Sequence, residues 1–355
     1  MISPAIITGT GLVTPLGNSV SQTWDTLLAG GAIGDHARVA GITGSDRCVQ
    51  IALAAAEEAV QNAGWSREFL SSDRTILIAA TSKGPIESWL AGFVDPRGVG
   101  QIASEVADGL GMVSSPRLTL SAACATGLHG LIRAAMSLAC GESDRALVVA
   151  AEASVHPLFI GSFKRLGVLP PEGHGCRPFD QHRRGFLMSE AAAAVCLERG
   201  GKSTVKLGRF ALGGDATHLT AGDPKGQTLR RALAQVINGS RVDFVHAHAT
   251  GTLQHDPMEL AALEATLRPD NNPPIYSHKA ALGHSLGAAG LVSVVLNCQV
   301  HRTGIVPPNI NTADPLPTRL KISRQIERKA VRRSVAVASG FGGALAALSL
   351  ENVVE

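Results

Sequence analysis

Hydrophobic positions follow two spacings along the chain, and the spacings alternate. Short apolar runs predict strands from residue 5 and at 74–80, 145–151, 205–212, 242–248, 274–277, 334–338 and 346–351. Apolar residues three and four positions apart predict helices at 21–28, 45–64, 101–110, 128–141, 228–236, 257–266 and 285–301. Residues 189–198 fit a strand or a short helix. Strands that alternate with helices indicate the α/β class.

The segment 155–185 interrupts this alternation. It contains four prolines and several glycines, which predict a long loop, and loops of this length in compact domains usually carry function. The elements before and after residue 200 have similar content, although no repeat is visible in the letters. This predicts two structurally similar halves, 1–200 and 201–355.

A glycine-rich turn follows the first predicted strand. Gly9-Thr10-Gly11 partly matches a nucleotide-binding loop, which also needs a third glycine at the right offset and an acidic residue about 20 positions later. Both are missing, so the sequence favours an ordinary turn over a nucleotide site.

Composition narrows the class of protein. The chain has 355 residues, 45% of them hydrophobic, with 39 glycines, which indicates tightly packed layers and argues against disorder. A net charge of +3 does not indicate a nucleic-acid partner. Six cysteines without a CxxC pair argue against a metal site or a disulfide framework and fit a reducing compartment.

The sequence predicts neither a signal peptide nor a membrane span. No lysine or arginine precedes Arg38, so the start lacks the charged region of a signal peptide. The most apolar segment, residues 286–298, contains Ser293 and Asn297 and is too short to cross a bilayer. We therefore expect a cytoplasmic protein with no membrane partner.

Cys124 lies where a short predicted strand gives way to a helix. Backbone N–H groups and the positive end of the helix dipole at such a junction favour the thiolate, and small neighbours let a substrate carbonyl approach. A buried, inert cysteine fits the same apolar run, so the position alone does not decide between the two.

Three further clusters lie in the second half. His248-Ala249-Thr250-Gly251-Thr252 follows an apolar strand, at the edge of parallel sheets where active groups usually lie. Lys279-Ala280-Ala281-Leu282-Gly283-His284 precedes a long helix, and Gly340-Phe341-Gly342-Gly343 forms a turn between the last two strands. Taken singly, the histidine, the lysine and the phenylalanine each fit ordinary structural positions.

Taken together and in this order, the clusters resemble one family: the elongating β-ketoacyl synthases, condensing enzymes of the thiolase fold. The resemblance covers nearly the whole chain. It includes the opening at 8–18, Ala123–Gly127, Arg177–Asp180 with Gly185-Phe186, 248–259, 279–290, Ile305–Asn309 and 340–343. It implies a thiolase-like α/β fold of two similar halves in layered α-β-α-β-α order. It also implies decarboxylative condensation of an acyl group with malonyl-acyl carrier protein, as in fatty-acid or polyketide elongation.

The resemblance assigns a role to each matching position. Cys124 matches the nucleophile that takes the acyl group from a phosphopantetheine thioester. His248 and His284 match the paired histidines that hold the malonyl thioester carbonyl and promote loss of carbon dioxide. Lys279 matches the lysine of the same site. Phe341 matches the gate, whose backbone N–H forms the oxyanion hole with that of Cys124.

Two hydroxyls and two carboxylates complete the expected site. Thr250 and Thr252 match residues that line the pantetheine channel. The family usually carries a glutamate near the lysine, but the matching position here is Ser293. We therefore expect either that Asp256 or Glu259 serves as the charge partner of Lys279, or that Lys279 is less constrained than in the family.

The gating turn also departs from the family pattern. The family's Asn-Ser-Phe is Val337-Ala338-Ser339 here, and its following Thr-Asn is Ala344-Leu345. Because these changes flank the gate, they weaken any transfer of the family's chain-length preference to this chain.

Three alternatives were compared with the synthase. A non-catalytic, chain-length-determining partner subunit normally lacks the cysteine, which is present here. A thiolase needs a second cysteine where Phe341 stands. An initiating synthase has Cys-His-Asn, whereas position 279 is lysine.

The resemblance also implies partners. We expect a homodimer or a heterodimer with a related ketosynthase-like chain, and no permanently bound cofactor or metal, since phosphopantetheine arrives on the carrier protein. That carrier is acidic, so a basic surface should receive it. Two basic clusters are candidates: Arg319, Lys321, Arg324, Arg328, Lys329, Arg332 and Arg333, or Lys164, Arg165, Arg183 and Arg184.

Overall fold

A computed structural model describes residues 5–44, 46–93, 95–220 and 222–353. The strands are β1 Ala5–Val13, β2 Thr75–Ala80, β3 Arg117–Leu120, β4 Arg145–Glu152, β5 Ala191–Arg199, β6 Val205–Gly214, β7 Phe244–His246, β8 Pro274–Tyr276, β9 Ile305–Val306, β10 Lys321–Ile322, β11 Glu327–Arg328, β12 Arg333–Ser339 and β13 Ala344–Asn352. The helices are α1 Val20–Leu28, α2 Arg47–Ala63, α3 Arg67–Leu70, α4 Ile86–Leu90, α5 Gln101–Leu110, α6 Thr126–Ala139, α7 Pro157–Arg165, α8 Gln227–Ile237, α9 His255–Thr266, α10 Lys279–Leu282 and α11 Ala289–Thr303.

Eleven of the described strands join in one sheet whose two parts repeat the same pattern. The strand order is β10-β8-β7-β12-β13-β6-β1-β5-β4-β2-β3. In the first half β3, β2 and β4 are parallel, while β5 and β1 are antiparallel additions. In the second half β8, β7 and β12 are parallel, and β13 and β6 are antiparallel. The two parts meet at one pair, Ile6 with Lys206.

The helices form three layers around the two parts of the sheet. The apolar faces of α2 and α5 pack on the outer side of the first part, and those of α8 and α9 pack on the outer side of the second. Helices α6 and α11 lie between the two parts and contact strands of both. This arrangement confirms the expected layered α-β-α-β-α architecture.

The glycines of the first strand serve helix packing. A Cβ on Gly9 would lie 2.1 Å from the Ala59 carbonyl oxygen, and one on Gly11 would lie 1.9 Å from the Ala55 carbonyl oxygen. Because α2 crosses β1 at this distance, only glycine fits at these two positions. Helix packing therefore accounts for the two glycines that raised the nucleotide-loop alternative.

The structure corrects the expected long loop at 155–185, which contains helix α7. The His156 side chain caps it by accepting from the Leu158 N–H, and Pro157 occupies the first turn, where its missing N–H costs nothing. Proline indicates a loop in many sequences, but it also occupies the first turn of helices, as Pro157 does here.

The segment 189–198, whose sequence fits a strand or a short helix, forms strand β5 at 191–199. Helix α2 begins after the Asp46 cap, whose side chain accepts from the Cys48 N–H. The first residue of its predicted range, Ser45, lies outside the described residues.

Candidate active site

Cys124 lies in a sharp turn between β3 and α6. Ala123, just before it, has φ of 49°, a left-handed conformation uncommon for alanine. The Thr126 hydroxyl holds the turn closed by accepting from the Ala122 N–H at 2.7 Å and donating to the Ala123 carbonyl at 2.6 Å. Cys124 is thus held in a partly exposed position beside the first turn of the helix.

The glycine turn of the second half closes over this cysteine. A Cβ on Gly340 would lie 2.9 Å from the Ala122 carbonyl oxygen and 3.0 Å from the Cys124 nitrogen. The Phe341 backbone lowers the pKa of the Cys124 thiol, the smallest of the effects on that pKa. The residue expected to form the oxyanion hole and gate therefore lies beside Cys124.

Burial dominates the ionisation of Cys124. It raises the pKa of the thiol to about 11, while the ammonium groups of Lys83 and Lys279 lower it. The thiolate expected from the helix N-terminus is therefore not the main form at neutral pH, because the removal of solvent outweighs the nearby positive charges.

His248 and His284 form a pair of neutral imidazoles. Their ring centroids lie 5.4 Å apart, and the rings are nearly perpendicular at 80°. Burial holds the pKa of both well below the usual value, and the positive charge of Lys279 lowers both further. Each ring is therefore neutral at neutral pH and able to donate one N–H to a developing oxyanion.

Two buried carboxylates hold the loop that carries His248. Glu259 accepts the backbone N–H groups of His248 and Ala249, both at 2.7 Å. Asp256 accepts those of Phe179 at 2.8 Å and Gly251 at 3.1 Å. Both carboxylates support the backbone of the site.

Lys279 is buried, with 1% of its surface exposed. Its ammonium donates to the His248 carbonyl, which links the two strand ends β7 and β8. Burial lowers the pKa of Lys279 to about 8, and Glu259 is the strongest of the charges that oppose this. Neither expected carboxylate forms an ion pair with Lys279 in the described part of the chain; the Ser293 hydroxyl donates to the Ala289 carbonyl.

A cavity of about 1010 Å³ brings the predicted residues together. Its lining includes Cys124, His248, Thr250, Thr252, His284 and Phe341. The hydroxyls of Thr250 and Thr252 lie 3.0 Å apart on its wall. Lys279 is not on the lining and acts from beneath it. Among the described residues, no group of three or more histidine, cysteine or acidic side chains could hold a metal ion.

Sequence reasoning missed several residues of the site. Phe163 lies 5.7 Å from Phe186 and 6.2 Å from Phe341 between ring centroids, so three aromatic rings stand beside the cysteine. The His246 and His278 rings hydrogen-bond each other at 2.9 Å behind Lys279. Phe163 lies on helix α7, which the sequence did not predict. His246 lies two residues before His248, and His278 lies one residue before Lys279. This closeness to predicted site residues is the only signal in the sequence that could have identified the two histidines.

The basic clusters differ in where they lie. Arg184 lines the cavity, as do Leu166 and Gly167, which directly follow exposed Lys164 and Arg165. Arg183 is buried and donates to the Thr252 and Leu253 carbonyls, so it supports the loop. No member of the cluster at 319–333 lines the cavity.

Comparison with known proteins decides the family. Residues 37–203 match the family described as "Beta-ketoacyl synthase, N-terminal domain", and residues 206–313 match "Beta-ketoacyl synthase, C-terminal domain". The chain belongs to the β-ketoacyl synthase family.

None of the helices in the described ranges is long and apolar enough to traverse a bilayer.

The curated relatives of this synthase chain include polyketide β-ketoacyl synthases and 3-oxoacyl-[acyl-carrier-protein] synthases. It is 29% identical to a putative polyketide beta-ketoacyl synthase 1 of Streptomyces halstedii over 97% of both chains. It is 28% identical to 3-oxoacyl-[acyl-carrier-protein] synthase 2 of Coxiella burnetii over 87% of this chain and 88% of the relative.

Solved structures show the same fold. The ishigamide ketosynthase/chain length factor matches with a TM-score of 0.86 and 28% identity over 100% of both chains. A type II polyketide acyl-carrier protein complex with its ketosynthase contains a chain that matches with a TM-score of 0.91 at 24% identity, again over 100% of both chains.

Proposed function

We propose that this chain condenses an acyl group carried on Cys124 with malonyl-acyl carrier protein, giving 3-oxoacyl-acyl carrier protein and carbon dioxide. The observation that carries the proposal is one cavity lined by Cys124, by two neutral histidines and by Phe341. A nucleophilic sulfur, hydrogen-bond donors for an oxyanion and two neutral imidazoles together suit a reaction that passes through an enolate.

The first step is acyl transfer. Cys124 loses its proton, its sulfur attacks the thioester carbonyl of the arriving acyl group, and the pantetheine thiol leaves with a proton. The backbone N–H groups of Cys124 and Phe341 donate hydrogen bonds to the negatively charged oxygen of the tetrahedral intermediate. A covalent intermediate divides the condensation into two transfers, in ping-pong order.

The second step consumes the malonyl group. His248 and His284 donate to the thioester oxygen, the carboxylate leaves as carbon dioxide, and an enolate remains. Its carbon attacks the acyl carbonyl on Cys124, a C–C bond forms, and the C–S bond breaks. The sulfur leaves as a thiolate, and one proton taken from solvent restores the thiol.

The cavity fits a carrier-borne substrate. Thr250 and Thr252 offer hydroxyls along the cavity wall for a phosphopantetheine arm, which reaches the site on the carrier protein. Lys164, Arg165 and Arg184 lie at or beside the lining, so we propose that this cluster receives the acidic carrier. The cluster at 319–333 has no such position.

We propose two domain-like halves, 1–200 and 201–355, and a dimeric assembly. Cys124 comes from the first half, and the histidines, Lys279 and Phe341 come from the second. In the described chain β3 pairs on one side only, with β2, which leaves its other edge for a partner strand. Two structural relatives were solved with a chain length factor, which supports a related chain as the partner.

Mass spectrometry of the intact protein tests the activity. We expect incubation with a panel of acyl-carrier-protein thioesters to add an acyl mass that maps to Cys124 and is absent from Cys124→Ala. A further incubation with malonyl-carrier protein should discharge it as a 3-oxoacyl product. No adduct with any donor would contradict the proposal and favour the non-catalytic partner subunit.

A further inference from the structure

Three parallel strands of the first half bring three ionisable residues to one edge of the sheet. Ala80 of β2 lies opposite Leu120 of β3 and Ala150 of β4. Lys83 follows Ala80 by three residues, Cys124 follows Leu120 by four, and Glu152 follows Ala150 by two. The parallel register therefore places a lysine, the reactive cysteine and a carboxylate side by side.

Glu152 fixes the loop that carries Lys83. The carboxylate is fully buried and accepts the Ser82 N–H at 2.9 Å and the Ser154 hydroxyl at 2.6 Å. It also accepts the Ser82 hydroxyl and the Gly287 N–H, the latter at 3.3 Å. The backbone beside Lys83 is thus tied to the floor of the site and to the segment that follows His284.

The ammonium of Lys83 is left to act on the cysteine. Lys83 is half-buried, and its Nζ stands 5.8 Å from the centroid of the Phe159 ring. In the described part of the chain it forms no ion pair. Burial is the largest influence on the pKa of Cys124, but Lys83 lowers it more than Lys279 does, and Glu152 raises it.

We propose that Lys83 is a positioning residue of the condensation, whose ammonium stabilises the Cys124 thiolate. The inference rests on the proposed function, in which that thiolate occurs twice in each cycle. It forms when the thiol loses its proton before acyl transfer, and again when the C–S bond breaks during condensation. A positive charge at the same edge of the sheet as the sulfur favours both events in a site that burial otherwise makes unfavourable for an anion.

The rate of alkylation by iodoacetamide, followed from pH 6 to 10, tests the inference. Peptide mapping separates Cys124 from exposed Cys140, which serves as a reference in the same sample. We expect Lys83→Met to slow alkylation of Cys124 roughly three- to tenfold at pH 8 and to move its pH profile upward. Lys83→Arg keeps the charge and should stay within about twofold of the unmodified protein.

Two further variants separate charge from structure. Lys202→Met removes an exposed lysine between β5 and β6 and should leave the profile unchanged. Glu152→Gln removes the opposing charge and should speed alkylation of Cys124, the reverse of Lys83→Met. Lys83→Gln, with a polar head group, replaces Lys83→Met if that variant does not fold.

The outcomes are distinct from those of the acylation test. Overlapping profiles for Lys83→Met and the unmodified protein would overturn the inference, as would shifts of Lys83→Met and Glu152→Gln in the same direction. Alkylation needs no carrier protein. A chain that accepts no acyl group therefore contradicts the proposed function, whereas an unshifted profile contradicts only the role of Lys83.

Discussion

Cys124, His248 and Lys279 show how burial alters the ionisation of single residues. The cysteine keeps its proton, the histidine loses its own, and the pKa of the lysine falls to about 8. Their neighbours along the sequence do not reveal this, because the groups that bury them lie on other strands. At neutral pH the cysteine and the histidine are therefore uncharged, while Lys279 still carries most of its positive charge.

Removal of one imidazole should separate the two steps. We expect His284→Ala to lower malonyl decarboxylation about 10²–10³-fold, since one oxyanion donor is lost, while acylation of Cys124 persists. Release of carbon dioxide and intact mass report the two steps. The exposed His182→Ala is the matched control. Equal loss of both steps would contradict the division of roles.

We predict that replacement of Lys279 increases the stability of the fold but removes activity. Its pKa is lowered when folded, so the unfolded chain binds more protons between about pH 8 and its ordinary pKa near 10.5. The charged lysine therefore destabilises the fold below pH 8, and this cost disappears as pH rises through that window. We expect Lys279→Met to abolish condensation yet raise the free energy of unfolding at pH 7 by about 1–3 kcal/mol.

Chemical denaturation at several pH values checks this expectation. The stability gain of Lys279→Met over the unmodified protein should shrink between pH 8 and 10. A variant less stable than the parent at pH 7 would show that the hydrogen bond to the His248 carbonyl outweighs the cost of the buried charge.

At the scale of elements, the glycine turn and the cysteine turn must approach closely. A Cβ at position 340 meets backbone atoms at 2.9 and 3.0 Å, so Gly340→Ala must push the two turns apart. We expect acylation of Cys124 to slow about tenfold or more, because the oxyanion donor moves. Gly34→Ala, with open space around it, is the control, and an unchanged acylation rate would contradict the proposed donor.

Helix α7 predicts where the carrier protein binds. The double variant Lys164→Glu with Arg165→Glu reverses the charge of this surface and should raise the KM for malonyl-carrier protein several-fold. The increase should be larger at low salt, and decarboxylation of a small malonyl thioester should be unaffected. Arg324→Glu, in the cluster away from the cavity, provides the comparison. If only Arg324→Glu raises the KM, the docking surface has been assigned to the wrong cluster.

For the molecule as a whole, the free edge of β3 predicts a dimer. Exposed backbone N–H and C=O groups on an edge strand are commonly paired with another chain. We expect light scattering at micromolar concentration to give about twice the 36.7 kDa of one chain. A single-chain mass, both alone and with a related ketosynthase-like chain, would contradict this.

The sequence allowed the fold class and the main residues of the site to be predicted. The pattern of apolar residues located β2, β4, α5 and α8 to within about two residues, because the two strands are continuous apolar runs and the two helices each have one clear apolar face. Helix α7 was missed because its proline and glycine resemble loop signals. Lys83 and Glu152 were missed because only the parallel register of three strands brings them to Cys124.

The turn at 200–204 joins the two halves and is largely exposed. Under the proposed function, residues 1–200 supply Cys124, and residues 201–355 supply the two histidines, Lys279 and Phe341. If the backbone is cut there, the fragments 1–200 and 201–355 should each be inactive when prepared separately. Co-expression should restore acyl transfer, because the buried apolar faces of the central helices α6 and α11 pack against each other and hold the fragments together. The enzyme would in that case serve as a split reporter, whose signal depends on reunion of the two fragments.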